Sequence, residues 1–248
     1  MKKVLYTSLV GDYDVLQDPE VVDESWDYIC FTNHLKQENH RVWQIRSIPL
    51  KGATNAEKSR YPKLNPHEVL GEYEISVYID SNILIKTDFL YQRSLELEAD
   101  SSTLISIPVH PTRSCVYKEA EMLKYRGKDI VKAIDRHIAH LRKEEFPDDY
   151  GLFENNVIWR RHMDDSIQNV SRNWWEEYMN YSKRDQLSLV YCLWKEGVTC
   201  IPLMPSDIQD HRKSEHFEFT KHKQSLFFPV KRWKTKFNYL AKNRKKPD

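Results

Sequence analysis

The sequence predicts an α/β fold with a mainly parallel central sheet flanked by helices. Three observations carry that prediction. Short apolar, β-prone runs recur along the chain, amphipathic helical repeats separate the later ones, and no internal repeat or low-complexity block interrupts them. The 30% of charged residues and the mean hydropathy of -0.72 would suit a disordered chain, but seven Trp, fourteen Tyr and nine Phe supply apolar area that disordered segments lack. A chain of 248 residues therefore has material for one large packed domain or two small ones.

The elements follow in order. Val4 to Val10 is apolar and β-prone; although Met1-Lys2-Lys3 ahead of it imitates the opening of a secretory leader, the run stops at Gly11-Asp12 without a small-residue cleavage site, so it reads as a first strand. Tyr28 to Phe31 and Trp43 to Ile48 are further strand candidates bounded by polar residues. Ile75, Val77 and Ile79 alternate on one face of a strand ending at Asp80, and Thr103 to Val109 is a nearly continuous apolar run. Ile130, Ile134, Ile138 and Leu141 then recur at helical spacing with charges on the other faces. Val157 to Trp159 is strand-like, Arg184 to Lys195 repeats as a second amphipathic helix stopped by Gly197, and Val198 to Leu203 closes the series. In such sheets ligands bind beyond the carboxyl ends of the strands, which is where functional residues are expected.

No apolar run approaches the roughly 20 residues of a membrane span. Cys30, Cys115, Cys192 and Cys200 form no C-x-x-C motif, so reduced thiols and a cytoplasmic location are expected, and the sequons at Asn169 and Asn180 carry little weight. The net charge of +1 conceals an asymmetry: residues 221–248 carry +9 and residues 1–220 carry -8. The expected organisation is thus a domain over 1–220 and a basic tail over 221–248. In the tail, Pro229 opens a helical pattern placing Val230, Trp233, Phe237 and Leu240 on one arc, which suits an anionic membrane surface at the inner face of a membrane. The alternative is that Trp233 and Phe237 dock on the domain. Nucleic acid is not expected as a partner, because the acidic body would repel it.

Several groupings offer chemistry. Asp80-Ser81-Asn82, at the end of a core strand, presents oxygen-bearing side chains two residues apart that suit a hard cation; the competing reading is an ordinary turn. Lys58-Ser59-Arg60-Tyr61-Pro62-Lys63 places three cations in six residues, either facing a diphosphate or forming a solvated basic turn. His110-Pro111-Thr112-Arg113 follows a strand and offers a forked guanidinium, or simply opens the next helix. Glu154 is a single carboxylate ahead of a strand. Asp185, before Gln186, sits where an acid is favoured by the helix dipole, whatever its role, so a plain cap is the default. His211, His216 and His222 are late nitrogen ligands of low specificity. Phosphate-loop, dinucleotide-fold, nucleophile-elbow and zincin motifs are all missing from the sequence.

Taken in order, Tyr6-Thr7 with Gly11-Asp12-Tyr13-Asp14, Asp27 to Asn33, Arg60-Tyr61-Pro62-Lys63 with Pro66-His67, Ile79 to Asn82, His110 to Arg113, Gly151 to Glu154 and Arg184-Asp185-Gln186 resemble one family. It is the glycosyltransferase-like family of bacterial capsule and surface-polysaccharide proteins, whose plant relatives are Golgi proteins of mucilage and turgor regulation. The resemblance spans about residues 3 to 195. It implies a GT-A-type fold and transfer of a sugar from a nucleotide diphosphate-sugar, with a UDP-sugar the first choice, to a glycan or lipid-linked acceptor in capsule or lipopolysaccharide synthesis. It further implies Thr7 and Asp12 near the nucleoside, Arg60 and Lys63 near the diphosphate, and Asp80 and Asn82 on a Mn²⁺ or Mg²⁺ ion, with His216 or, alternatively, His211 as the candidate third ligand. His110, Arg113 and Glu154 would then face sugar or acceptor. Asp185-Gln186 is also similar to the Asp-Gln pair beneath the donor's anomeric carbon in retaining family 8 glycosyltransferases, which favours retention. Asn82 departs from the usual second acid. Two other classes stay open: a non-catalytic nucleotide-sugar or glycan-binding module, and a basic-tailed adaptor.

Overall fold

A computed structural model describes residues 1–11, 14–36, 42–221, 239 and 247. Seven strands form the central sheet: β1 (Lys3–Leu9), β2 (Trp26–Thr32), β3 (Gln44–Ser47), β4 (Ile75–Ile79), β6 (Ile105–Ile107), β7 (Val157–Arg160) and β8 (Cys200–Pro202). Their order is β3-β2-β1-β4-β7-β6-β8. The pairs β1/β2, β1/β4, β2/β3 and β6/β8 are parallel, and β7 alone runs against both its neighbours. The expected α/β architecture, a mainly parallel central sheet between helices, is therefore present. A second, two-stranded antiparallel sheet pairs β5 (Ile83–Ile85) with β9 (Phe217–Phe219), a feature the sequence pattern does not signal.

Central position explains why β1 reads as a continuous apolar run: both its faces are covered. Val4 and Tyr6 belong to one core with Ile29, Phe31, Tyr78 and Ile158, while Leu5 and Leu9 belong to another with Cys30, Val77, Ile79 and Trp159. The first core is closed by α1 (Asn55–Leu64), α4 (Val116–Arg126), α5 (Val131–Lys143), α6 (Asp165–Asn180) and α7 (Gln186–Lys195), through Leu64, Ala120, Ile134, Trp174 and Leu189 among others. The second is closed by α3 (Phe89–Ala99), through Leu90, Tyr91 and Leu97. A short helix, α2 (Pro66–Val69), follows α1 directly. The four cysteines are free.

One reading of the sequence is corrected here. Lys58 to Lys63 is not a solvated turn but the body of α1. Thr54 and Glu57 form a capping box at its start: Thr54 Oγ1 accepts from the Glu57 N–H at 3.3 Å, and Glu57 Oε2 accepts from the Thr54 N–H at 2.9 Å. Pro62 lies inside the helix near its end, where it withholds one N–H from the ladder. Burial of Pro62, Lys63 and Leu64 draws that turn onto the sheet.

Because β7 is antiparallel, the loop that precedes it meets the carboxyl ends of the parallel strands. Ile79 pairs with Val157, and the Asp80 N–H donates to the Asn156 carbonyl at 2.8 Å. At β6 the His110 N–H donates to the Leu152 carbonyl at 2.9 Å and the Glu154 N–H to the Pro108 carbonyl at 2.8 Å. The ends of β4 and β6 and the 153–156 loop are thereby locked into one rim. Among the described residues no helix is long and apolar enough to cross a membrane. The tail proposed over 221–248 lies outside the described residues except for Lys221, Tyr239 and Pro247; the Tyr239 hydroxyl donates to Glu121 Oε2 at 3.0 Å.

Candidate functional site

Four charges meet at this rim. The Lys63 ammonium, on the last turn of α1, stands 2.6 Å from Asp185 Oδ2 and 3.8 Å from Asp80 Oδ1, and Arg60 Nε, one turn earlier, is 3.7 Å from Asp185 Oδ2. Lys63 and Asp185 are only 2% and 4% exposed. Burial by itself would raise the Asp185 pKa, but Lys63, Arg60 and Arg184 reverse that and hold the carboxyl well below the usual range. Burial likewise opposes the Arg60 charge, and Asp185, Tyr78 and Asp80 overcome it. The expectation that Asp185 simply caps its helix is overturned. It occupies the cap position of α7, yet its side chain makes no capping bond and points instead into the ion pairs. Its carbonyl accepts from Trp174 Nε1 at 2.8 Å, which fixes the residue from behind. Gln186 donates its amide to the Phe153 carbonyl at 2.7 Å, tying α7 to the rim loop.

Tyr78 closes this group from below. Its hydroxyl donates to Asp80 Oδ1 at 2.9 Å, and the Lys63 ammonium lies 5.0 Å from its ring centroid. Burial, then the Asp80 carboxylate, pushes the Tyr78 pKa well up, so it remains a donor.

A second cluster borders the first. His110 Nδ1 accepts from the Thr112 and Arg113 N–H groups at 3.2 and 3.1 Å, and its Nε2 lies 2.9 Å from Arg113 Nη2 and 3.3 Å from Glu154 Oε1. Burial, with Arg113 and Arg212, depresses the His110 pKa to about 4, so the ring is neutral at pH 7. Burial raises the Glu154 pKa, against the pull of Arg212 at 3.6 Å. Arg113 is not a free cation: its Nε donates to Glu119 Oε2 at 2.6 Å, and Glu119 is 4% exposed. Arg212 is held in turn by Asp210 at 3.0 Å.

The remaining predicted residues are placed as follows. Thr7 is fully buried within β1, with Oγ1 unbonded, and Asp12 lies outside the described residues. Asp80-Ser81-Asn82 does form a turn, and Asn82 is tied to the chain leaving β9: its amide donates to the Thr220 carbonyl at 3.1 Å, and its own carbonyl accepts from the Thr220 N–H at 2.8 Å. His216 sits at the opposite end of that two-stranded sheet, stacked on Phe89 and 2.9 Å from Thr87 Oγ1, so it does not join Asp80 and Asn82. His211 is nearer, with Nε2 2.9 Å from Asn156 Oδ1, on the residue whose carbonyl receives the Asp80 N–H. No three His, Cys, Asp or Glu side chains converge in a metal cage among the described residues. Asp80 is nonetheless one-third exposed with both its contacts on Oδ1, leaving Oδ2 open, which fits a cation completed by water and phosphate oxygens rather than by protein alone.

Sequence reasoning missed Tyr78, Trp174, Arg160, Arg212 and Asn156. No local signal marks Arg160, which meets Tyr6 and Lys63, or Arg212, which meets Glu154, because those partners are distant in the chain.

A family model described as TOD1/MUCI70, glycosyltransferase-like domain, matches residues 1–208. No curated protein sequence matches the chain. Among solved structures, WbbM, described as a bifunctional glycosyltransferase in its apo form, is similar at 14% identity and a TM-score of 0.44 over 76% of this chain, which spans 37% of that one. Mouse xyloside xylosyltransferase 1 is similar at 8% identity and a TM-score of 0.48, over 89% of this chain and 94% of its own. The galactosyltransferase LgtC, solved with donor and acceptor sugar analogs, is similar at 14% identity and a TM-score of 0.44, over 94% of this chain and 83% of its own.

Proposed function

The chain belongs to the TOD1/MUCI70 glycosyltransferase-like domain family, and from that premise we propose that it transfers a sugar from a nucleotide diphosphate-sugar, a UDP-sugar first, to a glycan or lipid-linked acceptor in surface-polysaccharide synthesis. The observation that carries the proposal is the buried Lys63–Asp185 pair, with Arg60 and Asp80 at its sides, on the carboxyl edge of the sheet. When the anomeric carbon–oxygen bond of the donor breaks, the electron pair goes to the diphosphate, and two cations pre-set by Asp185 and Asp80 oppose the charge that develops there. Asp185 is too weak a base at neutral pH to take a proton. Its role is to orient Lys63 and Arg60 and to place negative charge near an oxocarbenium-like centre, and the Asp185-Gln186 pair favours retention. Glu154, with raised proton affinity and the neutral His110 ring beside it, suits hydrogen bonding to sugar or acceptor hydroxyls. Asp80, with Asn82, would hold a Mn²⁺ or Mg²⁺ ion, which supplies a Lewis acid for the departing diphosphate.

We place the protein in the cytoplasm, with residues 221–248 drawing it to the inner face of the membrane. Deleting that tail should reduce sedimentation with anionic liposomes; unchanged sedimentation would remove the membrane role.

The test of the central proposal is a thermal-shift panel of UDP, GDP, CDP and ADP, each with and without Mn²⁺. A nucleotide at one hundred times its Kd stabilises by about 2.7 kcal/mol, which for this chain is a rise of about 5 °C. One nucleotide should give that shift, enhanced by Mn²⁺, and Asp80→Ala should abolish the enhancement without lowering the unliganded Tm by more than about 2 °C. No shift with any nucleotide would refute the donor assignment.

A further inference from the structure

The donor-site chemistry leaves one buried charge unused. Arg160, on β7, is 1% exposed, and among the described residues no carboxylate lies within salt-bridge distance of it. Its guanidinium donates to the Tyr6 hydroxyl and to the Lys63 main-chain carbonyl. Its neighbours on the strand, Ile158 and Trp159, are apolar, as a purely structural role in a buried sheet requires. A cation buried without a carboxylate is costly to fold, so its contacts matter. They converge on the negative end of the α1 dipole: the Tyr6 hydroxyl donates to the Pro62 carbonyl at 3.2 Å, and Arg160 covers the next carbonyl, that of Lys63. Two successive carbonyls of the last turn are thus pinned to β1 and β7. From that turn the Lys63 side chain reaches Asp185 and Asp80, and Arg60 lies one turn back.

We propose that Arg160 is a positioning residue of the donor site, one that acts through the Lys63 carbonyl and Tyr6 to set the α1 end so that the Lys63 ammonium meets Asp185 and Asp80. Its consequence for substrate rests on the donor reading above, because only there does Lys63 face a diphosphate. Arg160 itself touches no substrate.

The test uses the full chain labelled with ¹⁵N-lysine. The Lys63 ammonium, shielded and paired at 2.6 Å, should give a slowly exchanging ¹⁵Nζ signal, assigned by its loss in Lys63→Met. In Arg160→Met and Tyr6→Phe that signal should exchange at least about tenfold faster while the melt stays cooperative, and UDP should bind about tenfold more weakly, as small misplacements of a binding group produce. Arg160→Lys keeps one charged donor for the Lys63 carbonyl and should recover part of both effects. Should Arg160→Met fail to fold, Tyr6→Phe and Arg160→Lys still decide. An unchanged Lys63 signal in the folded variants overturns the proposal. Failure of the wild type to bind UDP or any other nucleoside diphosphate would sink the donor reading instead, and the lysine signal would still judge Arg160.

Discussion

Replacing Lys63 by Met isolates the energetics of the site. The substitution keeps an unbranched side chain one atom shorter and removes the ammonium that stands 2.6 Å from Asp185, a carboxylate only 4% exposed. Breaking one side of a buried ion pair strands the other charge and costs about 3–5 kcal/mol. Arg60, 3.7 Å from the same oxygen, remains as a partial partner and puts the expectation at the lower end, about 3 kcal/mol. At about 2.1 cal/mol/K of unfolding entropy per residue, 248 residues convert this to a Tm lowered by about 6 °C. The pH dependence has a definite sign. The Asp185 pKa is depressed in the folded state, so its contribution is complete above the unfolded carboxylate value of about 3.9 and is lost as pH falls through the folded value below it. The gap between wild type and Lys63→Met should therefore be constant from about pH 5 to 8 and close only in stronger acid. Adding Asp185→Asn removes the stranded charge and should restore more than half the loss, which calorimetry on the four members of the cycle measures. A Tm change below about 1 °C at pH 7.5, or additive single effects, would refute the ion-pair reasoning.

Three further outcomes are expected. Burial holds His110, His162 and His211 neutral with pKa values near about 4, so unfolding at pH 5 should take up as many as three protons, and stability should fall as pH drops from about 6.5 towards 4; calorimetry in buffers of different ionisation enthalpy counts them, and no uptake would contradict the assignment. Thr54→Ala removes the capping box of the helix that carries Arg60 and Lys63 and should cost about 1 kcal/mol, a Tm fall of about 2 °C, with most of it recovered by Thr54→Ser. Trp174→Phe deletes the indole N–H that holds the Asp185 carbonyl, and should cost about 1–3 kcal/mol in a melt while Trp175→Phe, on a partly buried neighbour, costs less.

Local pattern was sufficient for the strands whose burial is complete. β1 and β4 read directly because each is apolar on both sides or alternates cleanly, and Asp80 could be placed at a strand end for the same reason. The helix over Val131–Lys143 was legible from one apolar stripe, whereas α1 was not, since its buried positions are Pro62, Lys63 and Leu64 and two of these are not residues a core pattern looks for. Its capping box, Thr54 with Glu57, was the signal available.

The sequence by itself determined the residue types at the rim and their order along the chain: the basic segment to Lys63, the acid at the end of β4, and the Asp185-Gln186 pair opening a helix. Only the tertiary structure decided how they combine. Lys63 and Asp185 are 122 positions apart, and nothing in either segment states that they pair at 2.6 Å, that Arg113 is already spent on Glu119, or that His216 faces Thr87 rather than Asp80. The reason is physical: strand and helix periodicity are written in contacts between near neighbours, while an ion pair across the sheet is set by strand order, and here by the antiparallel β7, which folds the 153–156 loop and Arg160 back under the site.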